Sequence, residues 1–283
     1  MRVVRVGYAV MSLLVACAPT KTPIAGPVDA RRADVVEPPP ATAAPTTAPE
    51  ATTASAPTTS ASPSVAAPTA AHVAAPTPVI HLPGGIDVDR GHGEVRLPAE
   101  VATAQGWLEA VACGRDSREH ESLLVVDAKP SQVHAALLAL GLVPGAPGRW
   151  HYDSGNVELI APTGPSIVPI VRWSVDGRTN ESPLLDWIHG ADGRAFPGGW
   201  VFAGSRFVTN VRALGPGEHY EADFTGSLVG LVTFGDETIG AVAVIPDQVA
   251  VERENWEAWT ERMPPSGTPA TLILRRADSS DLR

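Results

Sequence analysis

The sequence predicts an α+β fold: a β-rich single globular domain with one main helix, carried behind a disordered tether rich in Pro, Ala and Thr. Three observations lead there. No aromatic residue lies between Tyr8 and Trp107, while all seven Trp and all five Phe of the 283-residue chain lie at or beyond Trp107. Past that point, short apolar runs of strand length alternate with turn residues. Only one stretch, opening at Pro130, carries a helical apolar stripe.

The elements follow in order. Glu94 to Val101 alternates, with Val95 and Leu97 on one face, and reads as a strand. Trp107 to Cys113 is apolar on both faces, as a buried strand would be, and Glu121 to Val126 is a further short apolar run. Lys129-Pro130-Ser131 opens the helix, with Ser131 as cap, Val133, Ala136, Leu137 and Leu140 as its stripe, and Gly141 as its end. His134 sits at the stripe's edge and reads as a satisfied helix-edge histidine. Ile167 to Val175 is a strand, and Asp176-Gly177 is a hairpin turn signal. Pro183 to Ile188 makes one or two helical turns, and Trp200 to Val208 a strand. Tyr220–Phe224 and Leu228–Phe234 pair around Thr225-Gly226-Ser227. Ala270–Leu274 is the last strand.

From Ala18 to about Pro78 the chain is mostly Ala, Pro, Thr and Ser. Such a stretch has no large apolar groups to offset backbone ordering, which costs roughly 1–2 kcal/mol per residue. It reads as a tether that reaches on the order of 100 Å if it is extended at ~3.1 Å per residue. The formal net charge is −10. Residues 1–78 are near +1, so the folded part is clearly acidic. An acidic surface repels phosphate, which argues against nucleic acid as a partner.

Arg2 and Arg5 precede a mostly apolar run from Val6 to Ala16, too short to span a bilayer core, which takes about 20 residues. The run ends in Leu14-Val15-Ala16-Cys17, which resembles the bacterial lipobox. In that motif small residues admit the signal peptidase and the Cys thiol is alkylated by diacylglycerol. The expected organisation is a lipoprotein signal peptide at 1–16, a lipidated Cys17 with linker at 17–78, and a globular domain at 79–283. The lipid bilayer is then a partner through Cys17, with palmitate and diacylglycerol as the anchor. The expected location is the extracytoplasmic cell envelope. By analogy with lipoproteins, Ala18 in place of Asp favours the outer membrane.

With Cys17 acylated, Cys113 has no partner within the chain. It is either a buried inert thiol or a reactive one. The segment from Cys113 to Ser122 joins two core strands and carries Cys113, His120, Glu121 and Ser122. If those strands form a hairpin, Cys113 and His120 flank the loop, and an imidazolium near a thiol makes a nucleophile or a soft metal ligand. The bland reading packs Cys113 in the core and leaves His120 and Glu121 bonding the loop. A second candidate pocket is Trp200, Ser205 and Arg206, whose bland reading is ordinary strand alternation. No dinucleotide, phosphate-loop, zincin, nucleophile-elbow or calcium-loop motif is present. His120-Glu121 opens a zincin pattern, but Val125 stands where the second His belongs. Two cysteines cannot hold an iron–sulfur cluster. Nothing in the sequence points to a nucleotide, and the cofactor is unknown.

Several segments together resemble the YdjY-domain family of exported bacterial proteins of unknown function. They are His120-Glu121-Ser122-Leu123-Leu124-Val125, Lys129-Pro130-Ser131, His134 to Leu142, Trp200 to Phe207, and Pro264 to Leu274. The resemblance spans Gly85 to Arg276. It implies a shared fold and a pattern that includes Cys113 and His120 to Ser122, but no reaction. The sequence leaves three classes: an envelope module that binds a ligand, metal or partner protein, which is the favoured one; an extracytoplasmic thiol enzyme or redox protein using Cys113 and His120; and a structural envelope protein.

Overall fold

The computed structural model describes residues 78–248 and 256–278. All of them belong to the second of two units into which the chain divides, Thr69–Arg283. The expected signal peptide, Cys17 and the tether up to residue 77 lie outside the described residues.

Eight strands, numbered in chain order, form the body of the domain: β1 (Glu94–Val101), β2 (Ala110–Gly114), β3 (Ser122–Val126), β4 (Ser166–Val175), β5 (Trp200–Phe202), β6 (Ser227–Gly230), β7 (Ile239–Ala241) and β8 (Pro269–Arg276). They pair in the order β1-β8-β4-β5-β7-β6-β2-β3. The ring closes where β3 returns to β1, with Glu100 opposite Val125 and Val101 opposite Leu124. Two neighbours, β2–β3 and β6–β7, run parallel. The others run antiparallel.

The expected α+β class is therefore corrected to a closed eight-stranded β-barrel. The single long helix, α1 (Pro130–Ala139), is an attachment to this barrel and not a layer of its own. It packs on β1 and on the strand Ile86–Asp89, which pairs with the opening end of β1. Closure depends on pairing between distant strands and on stagger around the ring, and neither leaves a local periodicity to read.

The core explains the strands. Leu97, Leu124, Val171, Phe202, Leu228 and Leu272 come from six different barrel strands and share one buried cluster. In β2 and β3 every residue is buried. That is the pattern of strands covered on both faces, which read as unbroken apolar runs.

α1 is stopped as expected, by Gly141 at φ +94°. Its start differs. Lys129 holds the cap position and its N–H donates to Gln132 Oε1 at 2.8 Å. Ser131 instead donates through N and Oγ to Asp223, on the short helix α2 (Ala222–Thr225), both at 2.7 Å. The run from Trp200 to Val208 is broken after β5, where Gly204 and Ser205 take left-handed φ values of +93° and +53°. Phe207–Thr209 then pairs with Glu218–Tyr220 in a separate two-stranded sheet. The expected pairing of Tyr220–Phe224 with Leu228–Phe234 does not occur. α2 takes most of the first segment, while β6 enters the barrel beside β2. Among the described residues no helix is long and apolar enough to cross a membrane.

Candidate functional site

The two parallel pairs position the site. After β2 the chain returns through residues 115–121 to start β3 in the same direction, and after β6 it returns through 231–238 to start β7. Since β2 and β6 are themselves neighbours, the two return loops lie side by side. The guanidinium of Arg118, in the first loop, stacks 3.7 Å from the ring centroid of Phe234, in the second.

Each loop is organised by one glutamate. Glu119 accepts hydrogen bonds from the N–H groups of Asp116 and Ser117, at 2.5 and 3.0 Å. Glu237 accepts from the N–H groups of Phe234 and Gly235 through Oε1 alone, the latter at 3.1 Å. Its other oxygen, Oε2, is buried and has no partner. Glycine makes room for this side chain, since a Cβ on Gly230 would stand 2.6 Å from Glu237 Cγ. Glu237 is 1% exposed. Burial, with a contribution from the neighbouring Asp236, pushes its carboxyl up to about 7, against the pull of the backbone N–H groups.

A cavity of about 10 Å³, the room of one water molecule, lies between loops and strands. Glu237, Glu109, Cys113, Arg118, Ser227 and Phe234 are among its lining residues. Glu109 is also shifted up to about 7. Burial is the main cause, followed by a hydrogen bond and charge repulsion from Glu121, against the opposing charge of Arg118. Arg118 Nε is 3.9 Å from Glu109 Oε2. The cavity wall thus gathers two carboxyls, both raised toward neutral pH, one thiol and one guanidinium.

The sequence-selected residues divide. Cys113 lines the cavity and is 1% exposed. His120 lies on the surface, 3.7 Å from Glu121. The structure does not bring Cys113 and His120 together. β2 and β3 are parallel and not a hairpin, with Cys113 opposite Val125 and Ala110 opposite Ser122. The loop therefore runs back the full length of the strand. His120 lies in the helical turn just before Ser122, whose partner Ala110 is three residues before Cys113, roughly 10 Å away at ~3.3 Å per residue. Ser122 is buried, and its Oγ donates to the Arg118 carbonyl at 2.7 Å. Among the described residues no group of three metal-ligating side chains converges.

The second set meets the same site from behind. Trp200 is buried, and its Nε1 donates to the Gly230 carbonyl at 2.7 Å. Ser205 Oγ donates to the Asp236 carbonyl at 2.5 Å, and Ser205 N to the Glu237 carbonyl at 3.0 Å. Arg206 is on the surface, paired with Glu221. Trp200 and Ser205 thus hold the loop that presents Glu237, and neither lines the cavity. His134 bonds the Tyr220 hydroxyl at 2.9 Å and is lowered by burial, so it stays a neutral helix-edge histidine.

Sequence reading passed over Glu237, Glu109 and Phe234. The available signal was a carboxylate among apolar neighbours: Glu109 within Trp107–Cys113, and Glu237 between the runs that become β6 and β7. Residues 86–275 match the family model described as the YdjY domain. No curated protein and no solved structure matches the chain.

Proposed function

This chain belongs to the YdjY-domain family, and from that premise we propose that it is a lipid-anchored extracytoplasmic protein of the cell envelope whose barrel domain binds a ligand or partner. The anchoring half is supported by Leu14-Val15-Ala16-Cys17 behind a short basic and apolar leader, and by the aromatic-free, Pro-rich stretch that follows. The binding half is carried by one observation: a buried, unbonded carboxylate oxygen on Glu237 at the wall of a cavity. A buried polar atom without a partner costs on the order of 1–3 kcal/mol, so a native site that keeps one is a site for something to fill. Catalysis by a Cys113–His120 pair has less support, since the thiol is sealed and the imidazole is turned to solvent at the other end of the strand.

Two measurements test the reading. Mass analysis of the mature N-terminal peptide is expected to give Cys17 carrying diacylglycerol and an acyl chain, and Cys17→Ala is expected to leave the membrane fraction. An unmodified Met1 in the soluble fraction would end the envelope reading. Maleimide labelling of Cys113 in the native protein is expected to be slow and to need denaturant. Fast native labelling with a depressed thiol pKa would favour the thiol enzyme instead.

A further inference from the structure

We propose that the cavity between the two return loops is a binding site for a primary ammonium group, with Glu237 Oε2 as its principal acceptor. This deepens the binding reading above and rests on it.

The free valences of the cavity wall define the ligand. Glu237 Oε1 is used by two backbone N–H groups, whereas Oε2 is unbonded. Glu109 adds a second carboxyl, which shares a hydrogen bond with Glu121. Ser227 Oγ already accepts from Thr225 at 3.3 Å. Apart from Arg118, whose guanidinium lies on the Phe234 ring and 3.9 Å from Glu109, the strong groups left to satisfy are acceptors. An ammonium group has three donors and no acceptor, so it matches such a wall. A water molecule fits the same space, but its own lone pairs would face carboxylates.

Charge points the same way. Glu109 and Glu237 line the cavity, with Glu121 bonded to the first and Asp236 beside the second, and Arg118 is the one cation in its lining. Arg118 is committed to the face of Phe234 and to Glu109, and makes no bond to Glu237 Oε2. Size excludes larger cations, because about 10 Å³ admits one small head group and no planar guanidinium. Glu109, Arg118 and Phe234 are the part-exposed members of the lining and give the head group its way in, with the rest of the ligand left outside. The ligand class is thus an amine presented on a slender stem, such as a lysine-like side chain or another primary alkylamine.

Methylammonium chloride is the probe, titrated at pH 8 into the mature full chain. The Gly235 amide resonance is the readout, because its N–H is bonded to Glu237. The expected result is a saturable shift. The melting temperature should also rise by roughly 3–6 °C at tenfold excess over Kd. Tetramethylammonium at equal ionic strength has no N–H to donate and is too large, so it should give neither. Glu237→Gln keeps an acceptor for the two backbone N–H groups and removes the charge, and should abolish saturation while leaving the chain folded. A linear shift, an equal response to tetramethylammonium, or unchanged saturation in Glu237→Gln would overturn the proposal and leave a structural water as the occupant. The anchoring test at Cys17 is independent of this titration, so failure of one is distinguishable from failure of the other.

Discussion

The two return loops solve the same problem with the same device and reach opposite electrostatic states. Each must turn a chain leaving one parallel strand back to the start of the next, and each holds its turn with a glutamate that accepts two backbone N–H groups. Glu119 is part-exposed; burial is the largest single influence on it and works against its ionised form, but it is outweighed. The N–H groups of its turn and the charge of Arg115 prevail, and its carboxyl lies below the ordinary range. Glu237 is sealed, burial prevails over the same kind of hydrogen bond, and its carboxyl rises to about 7. Glu119 gives one oxygen to each N–H, whereas Glu237 takes both on Oε1 and leaves Oε2 buried and unbonded. The difference teaches that two backbone N–H groups alone do not set the protonation state of a carboxyl; burial and the pairing of the second oxygen decide it.

The sharpest way to break the comparison is to delete each carboxylate. Glu237→Ala leaves the Phe234 and Gly235 N–H groups without an acceptor in a buried loop, at about 1–3 kcal/mol each. A loss of about 4 kcal/mol in urea unfolding at pH 6 is expected. Glu119→Ala exposes its donors to water and should cost less than about 1 kcal/mol. Equal losses would mean that the loops are not distinguished by burial.

The pH dependence comes next. The folded-state value of Glu237 is raised from 4.5 to about 7. Its contribution is therefore full below pH ~4.5 and is lost as pH rises through 7, which amounts to about 3 kcal/mol. Glu119 has the opposite sign: its contribution is present above the ordinary carboxylate range and is lost as pH falls below it. Urea unfolding of the wild type between pH 5 and pH 8 should lose stability, and Glu237→Gln should flatten most of that slope. Glu109 adds a smaller contribution of the same sign, because it is part-exposed. An unchanged slope in Glu237→Gln would place the titrating group elsewhere.

The smallest effect separates the glycines that end β2 and β6. A Cβ at Gly230 meets the buried stem of Glu237 at 2.6 Å, while one at Gly114 meets Gly226 Cα at an ordinary 3.5 Å. Gly230→Ala should cost about 1–3 kcal/mol by overpacking. Gly114→Ala should cost under about 1 kcal/mol. The midpoints of thermal or urea unfolding, compared between the two variants, check this.

Much of the domain was legible because its signals are local. Strands β1, β3, β4 and β8 follow apolar runs or alternation, α1 follows its stripe up to Gly141, and the Asp176-Gly177 turn joins β4 to Arg178–Pro183 as expected. Errors fall where local pattern and pairing part company. Trp200 to Val208 reads as one strand, yet the left-handed Gly204 and Ser205 divide it between two sheets. Two short apolar strands seven residues apart suit a hairpin, yet β2 and β3 run parallel. That single fact separates Cys113 from His120 and brings Cys113 to Glu237 instead.

By itself the sequence determined the family, the aromatic-rich domain beyond a Pro-rich stretch, and most strand positions, because composition and side-chain periodicity are properties of neighbours along the chain. Only the tertiary structure decided that the strands close into a barrel and that Glu109, Cys113, Arg118 and Glu237 share one cavity. Ring closure and parallel register are contacts between residues far apart in sequence, and whether a carboxyl is sealed or wet depends on what the rest of the chain lays over it.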